Sequence, residues 1–189
     1  MKKTLSLIII AGSLLANSAY AKTEGNYVGI DILRSSTEHK YAGISVKDKS
    51  AGFGANYKYA FNFDKIFLAP GVFAERLGSK VTDDLNETTT TNYRYGAKLD
   101  LGYDVTDNFA AYFTNGFANV RYKLDDHDGY VESKSAVSYF YGAGLSYKIL
   151  KNLTMNLEYN TQSPSFTNVN GVKIKSDIKV TKIGVSYNF

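Results

Sequence analysis

From Tyr93 to Asp104 the chain alternates with a period of two: Tyr93, Tyr95, Ala97, Leu99, Leu101 and Tyr103 lie on one side, and Arg94, Gly96, Lys98, Asp100, Gly102 and Asp104 on the other. A helix would scatter Lys98 and Asp100 around its circumference, so the pattern dictates a β-strand. A strand divided in this way needs an apolar medium against one face and polar partners against the other. The same alternation recurs in Ala51-Phe53-Ala55-Tyr57, Val137-Tyr139-Tyr141-Ala143-Leu145-Tyr147, Leu153-Met155-Leu157-Tyr159 and Thr181-Ile183-Val185-Tyr187-Phe189. A first strand near Tyr27 to Arg34 turns Val28, Ile30 and Ile32 to the apolar side and Gly29 and Asp31 to the polar one. In Ile66 to Glu75 and Phe109 to Tyr122 both phases carry aromatics, so their facing is not readable. Pro70 removes a ladder donor and predicts a bulge or irregular stretch in the third strand.

These segments make eight strands whose connections alternate in length. Residues 60–65, 104–108 and 148–152 are short turns; residues 35–49, 76–91, 123–134 and 161–176 are long polar connections. Short periplasmic turns and long external loops characterise transmembrane barrels, and an even strand count returns both termini to the periplasmic side. Gly54-Ala55, Gly96-Ala97 and Gly142-Ala143 form a weak hairpin repeat, each pair a few residues ahead of a short turn. Tyrosines and phenylalanines cluster where two interfacial belts belong: Tyr57, Tyr59, Phe61, Phe63, Tyr103, Phe109, Tyr147, Tyr187 and Phe189 near the short turns, and Tyr93, Tyr95, Tyr122, Tyr139 and Tyr159 at the far rim. Amphipathic rings prefer the headgroup level.

The N-terminus supplies a route. Lys2 and Lys3 precede an apolar stretch from Leu5 to Leu15 and the small-residue site Ala19-Tyr20-Ala21, the layout of a secretory signal peptide cleaved after Ala21. Residues 1–21 are thus read as a signal peptide and residues 22–189 as one barrel domain. Cleavage takes away Lys2 and Lys3 and leaves 20 basic against 18 acidic residues. A chain so nearly neutral gives no argument for nucleic-acid binding. The absence of cysteine excludes a disulfide scaffold and a lipoprotein anchor. Sixteen tyrosines and eleven phenylalanines against two prolines favour strands. The low mean hydropathy agrees with a barrel wall, which shows lipid only every second residue.

Lysine or arginine at mid-bilayer costs about 2–4 kcal/mol on the lipid face, so the charged phase points inward. The inward charges are then Asp31, Lys58, Glu75, Arg94, Lys98, Asp100, Glu158 and Lys182. Both signs are present, and buried charges persist when paired. An eight-stranded barrel is about wide enough to be filled by its own side chains, so a salt-bridge plug is expected; a narrow solute path opened by exchange of these pairs is the alternative. Asp125-Asp126-His127-Asp128-Gly129 lacks the alternating acids and later glutamate of a calcium loop and reads as a turn. His39, near Ser35, Ser36 and Glu38, and His127 fall in external loops, where no geometry orients a base against a nucleophile. No enzyme, metal or cofactor is expected. Asp83 to Glu87 and Thr88 to Thr91 read as a polar mobile loop.

The chain ends Lys182-x-Gly184-x-x-Tyr187-x-Phe189. This ending resembles the C-terminal signal that the barrel-assembly machinery takes from its clients. With the signal peptide, eight strands and four external loops, the whole resembles the small outer-membrane barrel superfamily of the opacity proteins, OmpX, Ail and the OmpA membrane domain. A soluble lipocalin-like barrel would explain neither the ending nor the alternating loops. The resemblance implies an all-β, eight-stranded antiparallel up-and-down transmembrane β-barrel in the bacterial outer membrane. It implies outer-membrane lipid and the assembly machinery as partners, and loops that bind a host surface or serum protein as an adhesin does. A narrow channel of the OmpW type and a structural barrel without ligand are the alternatives. Full-length OmpA carries a periplasmic peptidoglycan-binding domain; none is expected here.

Overall fold

The alternation of residues 93–104 belongs to a longer strand, Thr88–Asp104. The computed structural model describes residues 23–41, 44–82, 88–125, 131–167 and 173–189. They form β1 Gly25–Tyr41, β2 Ile44–Phe63, β3 Ile66–Thr82, β4 Thr88–Asp104, β5 Phe109–Asp125, β6 Val131–Leu150, β7 Leu153–Gln162, β8 Ser165–Thr167 and β9 Lys173–Asn188. Successive strands pair antiparallel, and β9 returns to pair with β1, closing the sheet. β7 and β8 both pair with β9 and form one stave, interrupted at Pro164, which has no N–H to give the ladder. The result is an up-and-down barrel of eight staves.

Its outside is apolar where a membrane would lie. Ile30 and Ile32 are 65% and 70% exposed, and Phe53, Val72, Leu101, Phe113, Phe117, Leu157 and Ile183 also face outward. A soluble protein does not leave such a belt in water. Tyr57, Tyr59, Phe61, Phe63, Tyr103, Tyr187 and Phe189 ring the short-turn end, and Tyr93, Tyr95, Tyr139 and Tyr159 the other. The inside is filled in layers. Tyr27, Ala60, Phe67, Ala69, Ala110 and Tyr112 pack near the short turns. Phe73, Ala118 and Phe140 form a middle cluster. Leu33, Leu77, Val120, Tyr122, Ala136, Phe166, Ile174, Ile178 and Val180 fill the far end.

Several expectations change. Strands of 16 to 20 residues exceed the roughly 9–11 needed to cross a bilayer, so most of each expected long loop is strand. Thr88 to Thr91 belongs to β4 rather than to a mobile loop, and residues 35–41 and 44–49 pair as one hairpin. Beyond the membrane the outward residues meet water and carry Ser, Thr, Lys and Arg, so no apolar stripe marks these stretches in the sequence. Pro70 causes no bulge: the β2–β3 ladder lapses beside it, between Lys58↔Gly71 and Phe61↔Leu68, without changing register. The register shift of β3 against β4 lies between Arg76 and Ser79, where Gly78 takes φ 64°, a conformation that favours glycine.

β3 turns Phe67, Phe73, Glu75 and Leu77 inward, and β5 turns Tyr112, Val120 and Tyr122 inward. Tyr122 therefore does not join the outer girdle; it is 1% exposed and stacks on Phe166 with ring centroids 4.4 Å apart. Asp83 to Glu87, the tip Asp126 to Gly129 with His127, and the expected cleavage site at Ala19 and Ala21 lie outside the described residues.

Phe67 is fully buried and its ring lies against the backbone of Gly102. Phe67→Ala opens the lower layer and should lower stability by about 3–5 kcal/mol, read from urea unfolding of the barrel in lipid.

Candidate functional site

The inward phase of six neighbouring strands brings eight charged side chains into one interior layer. Asp31 comes from β1, Lys58 from β2, Glu75 from β3, Arg94, Lys98 and Asp100 from β4, Glu158 from β7 and Lys182 from β9, and all are buried. Seven of them form one continuous chain of ion pairs. Arg94 Nε donates to Glu75 Oε2 at 2.9 Å, and Lys182 Nζ bridges Glu75 Oε1 at 3.0 Å and Glu158 Oε1 at 2.7 Å. Lys98 Nζ links Glu158 Oε2 at 3.0 Å to Asp100 Oδ2 at 3.2 Å, and Lys58 Nζ reaches Asp100 Oδ2 at 3.1 Å. Asp31 stands at the side of this chain and accepts a hydrogen bond from Asn56 Nδ2 at 2.7 Å.

Four acids face four bases, so the layer is neutral overall. Neutral side chains that the sequence did not single out complete it. Asn160 Oδ1 accepts from Arg94 Nη1 at 2.8 Å, and Tyr112 OH donates to Glu158 Oε2 at 3.3 Å. The Arg94 guanidinium lies between Phe73 and Phe140, 5.1 and 5.4 Å from the ring centroids, and Lys58 Nζ lies 5.0 Å from the Tyr112 ring centre. The only signal for these partners was their inward phase, and on β3 and β5 that phase was ambiguous. The cavity lined by Asp31, Lys58, Lys98, Glu158 and Lys182 has a volume of about 10 Å³, room for about one water. With aromatic layers above and below, the arrangement works as a plug.

The C-terminal residues fall on both faces of the closing strand. Lys182 and Gly184 point inward, Tyr187 and Phe189 outward with their rings stacked 6.5 Å apart. Gly184 lies opposite Asp31 at the β1–β9 closure, where a Cβ would overlap Asp31 Oδ1. A larger residue here would displace that carboxylate from the interior.

The staves continue past the membrane. On β1 the outward series Val28, Ile30, Ile32 gives way to Arg34, Ser36, Glu38 and Lys40, so Arg34 marks the edge of the belt. His39 lies beyond that edge, on a strand wall rather than in a loop, and its side chain points inward. Its Nδ1 lies 2.7 Å from Ser176 Oγ on β9, not beside Ser35, Ser36 or Glu38. A histidine and a serine at this distance resemble a base and nucleophile, but both are buried within the wall, where no substrate carbonyl can approach them. Burial lowers the His39 pKa from 6.5 to about 4. The outer face of this extension is basic: Arg34, Lys49, Arg76, Lys80, Arg121 and Lys179 all project outward. Among the described residues no group of His, Asp and Glu is arranged to hold a metal ion.

The wall is closed, apolar outside and ion-paired within, and residues 6–189 match the family described as outer membrane protein beta-barrel domain. The chain belongs to that family. This places the barrel in the bacterial outer membrane; in barrels of this kind the short turns lie on the periplasmic side and the longer connections outside. The barrel is 25% identical over 198 residues to the virulence membrane protein PagC of Salmonella typhimurium LT2, which covers 97% of this chain and 96% of PagC. Among solved structures it is similar to Ail, the attachment invasion locus protein of Yersinia pestis, at 20% identity and a TM-score of 0.56 over 88% of this chain and 100% of that one. It is likewise similar to Neisserial surface protein A, at 18% identity and a TM-score of 0.56 over 87% and 97% of the two chains. At these identities the structural likeness is one of fold.

Two measurements probe the outer-membrane barrel's interior. Arg94→Ala leaves Glu75 short of a partner and should cost about 3–5 kcal/mol; adding Glu75→Gln should recover part of the loss in a double-mutant cycle read by urea unfolding. His39 takes up a proton near pH 6.5 when unfolded but only near 4 when folded. Its contribution is therefore constant above about pH 6.5 and is lost as pH falls, by about 2–3 kcal/mol at pH 4.5. Unfolding at pH 7 and 4.5 should show that slope, and His39→Gln should remove it.

Proposed function

We propose that this barrel acts at the cell surface as a rigid support for contact with a macromolecule outside the cell, in the manner of an adhesin, and that it neither conducts solutes nor catalyses a reaction. The observation that carries this reading is the extension of the paired staves beyond the apolar belt. Strands that only needed to cross the bilayer would stop near Arg34 and Arg76; these continue to Tyr41 and Thr82. The interior of the extension is filled by Leu77, Tyr122, Phe166, Ile174 and Ile178. A packed interior fixes the outer wall, and a fixed wall binds a partner at a lower ordering cost than a flexible loop.

The relation to a virulence membrane protein supports a role in contact with a host surface or serum protein. The ion-pair layer between aromatic layers supports a closed barrel over a narrow solute path. The buried setting of His39 and Ser176 supports a non-catalytic role. Lys182, Gly184, Tyr187 and Phe189 serve the assembly machinery in this reading, since the aromatic pair stays on the outside of the closing strand, where an assembly factor can reach it.

The test shortens the β1–β2 hairpin by replacing residues 36–49 with a tight two-residue turn, which keeps Ser35 opposite Ser50. Cells carrying the shortened barrel should retain heat-modifiable mobility on gels, which reports assembly, and should lose about tenfold or more of their attachment to epithelial cells or serum-coated surfaces, a loss of roughly 1.4 kcal/mol in avidity. Undiminished attachment by an assembled, shortened barrel would overturn the adhesin reading. Planar-bilayer recordings of the purified protein should show no unitary conductance; steps that change with Lys98→Ala would restore the channel.

A further inference from the structure

The outside of the wall has a dent at one place. Ala55 on β2 and Ala74 on β3 are register partners, flanked in the same row by Ile30 on β1 and Tyr95 on β4. Two adjacent alanines among larger neighbours leave a hollow of about 650 Å³, walled by Ile30, Phe53, Tyr93 and Tyr95. That volume lies within the roughly 300–1,000 Å³ of ligand pockets. Arg76 and Arg121 line its outer end. Arg76 is the register partner of Tyr93, and Tyr93 that of Arg121, so the two arginines stand about 10 Å apart across three strands. Both are exposed, and neither has an ion-pair partner among the described residues.

The level of the hollow selects its occupant. From Ile66 to Arg76 the outward residues climb about 25 Å, taking about 3.3 Å per residue and a tilt of about 40°, which is the full height of a barrel's apolar band. The arginines therefore stand at the outer headgroup level, and the hollow opens beneath them to the acyl region. We propose that this hollow is a binding site for the phosphorylated, acylated glycolipid of the outer leaflet, with Arg76 and Arg121 holding a lipid A phosphate and an acyl chain lying over Ala55 and Ala74. Guanidinium groups suit phosphate because they donate paired, charge-assisted hydrogen bonds in a fixed fork. Exposed aromatic and aliphatic walls supply the chain with contact that a smooth barrel surface would not.

The test titrates purified lipid A into the full-length barrel in detergent and counts bound lipid by native mass spectrometry, with heat-modifiable mobility confirming that every variant is assembled. Wild type should retain one lipid A through detergent exchange. Arg76→Ala with Arg121→Ala should weaken binding about tenfold or more, and Ala74→Leu, which fills the hollow and keeps both charges, should weaken it comparably. Lipid A stripped of its phosphates should bind wild type as weakly as native lipid A binds the arginine variant. Equal retention by wild type and both variants would overturn the site. Phosphatidylglycerol retained as well as lipid A would overturn the assignment to the outer-leaflet glycolipid and leave a general anionic lipid contact.

Discussion

The chain of ion pairs from Arg94 through Glu75, Lys182, Glu158, Lys98 and Asp100 to Lys58 is the interaction on which the rest of the barrel depends. A wall one strand thick gives each residue only two destinations. Apolar side chains turn to lipid, so charges of the opposite phase must satisfy one another across the lumen. The chain draws on β2, β3, β4, β7 and β9, and thereby joins staves that never touch through the backbone. The neutrality of the layer, which Asp31 completes beside the chain, matters as much as the contacts, because an uncompensated charge here would carry a desolvation penalty of several kcal/mol.

The same layer separates two tasks. Below it, aromatic side chains and short turns close the periplasmic end. Above it, an apolar filling carries the wall beyond the membrane as a stiff collar. The filled centre leaves no open path from the collar through the barrel, and the proposed contact with other molecules therefore falls to the collar's outer surface. That surface is divided by height: arginines at the headgroup level face the lipid, while the hairpins above them face the medium. Binding of an outer-leaflet lipid and contact with an external partner would therefore use different rows of the same strands.

Much of the architecture was legible because alternation leaves little choice. Arg94, Lys98 and Asp100 alternate with tyrosine and leucine, and the bilayer then decides which phase goes inside. The same logic identified Asp31, Glu75, Glu158 and Lys182 as interior charges. It failed where both phases are aromatic, as at Tyr122, whose inward place follows from the phase of β5 as a whole. It failed also where lipid stops imposing the pattern, so that residues 35–49 read as loop although 35–41 pair with 44–50. Pro70 and Gly78 make a further contrast: the proline suggested a bulge or an irregular stretch and brings only a lapse in the β2–β3 ladder, while the register shift occurs at the glycine, where the backbone could take a positive φ.

By itself the sequence determined that the chain forms strands, that they close into a membrane barrel, and which charges lie within, because a two-residue period in lipid admits one solution. Only the tertiary structure decided which charge meets which. It also brought His39 to Ser176 and set Ala55 beside Ala74 beneath two arginines. Those pairings depend on the register between strands distant in sequence, and register is set when the whole wall closes on itself, not by any one strand.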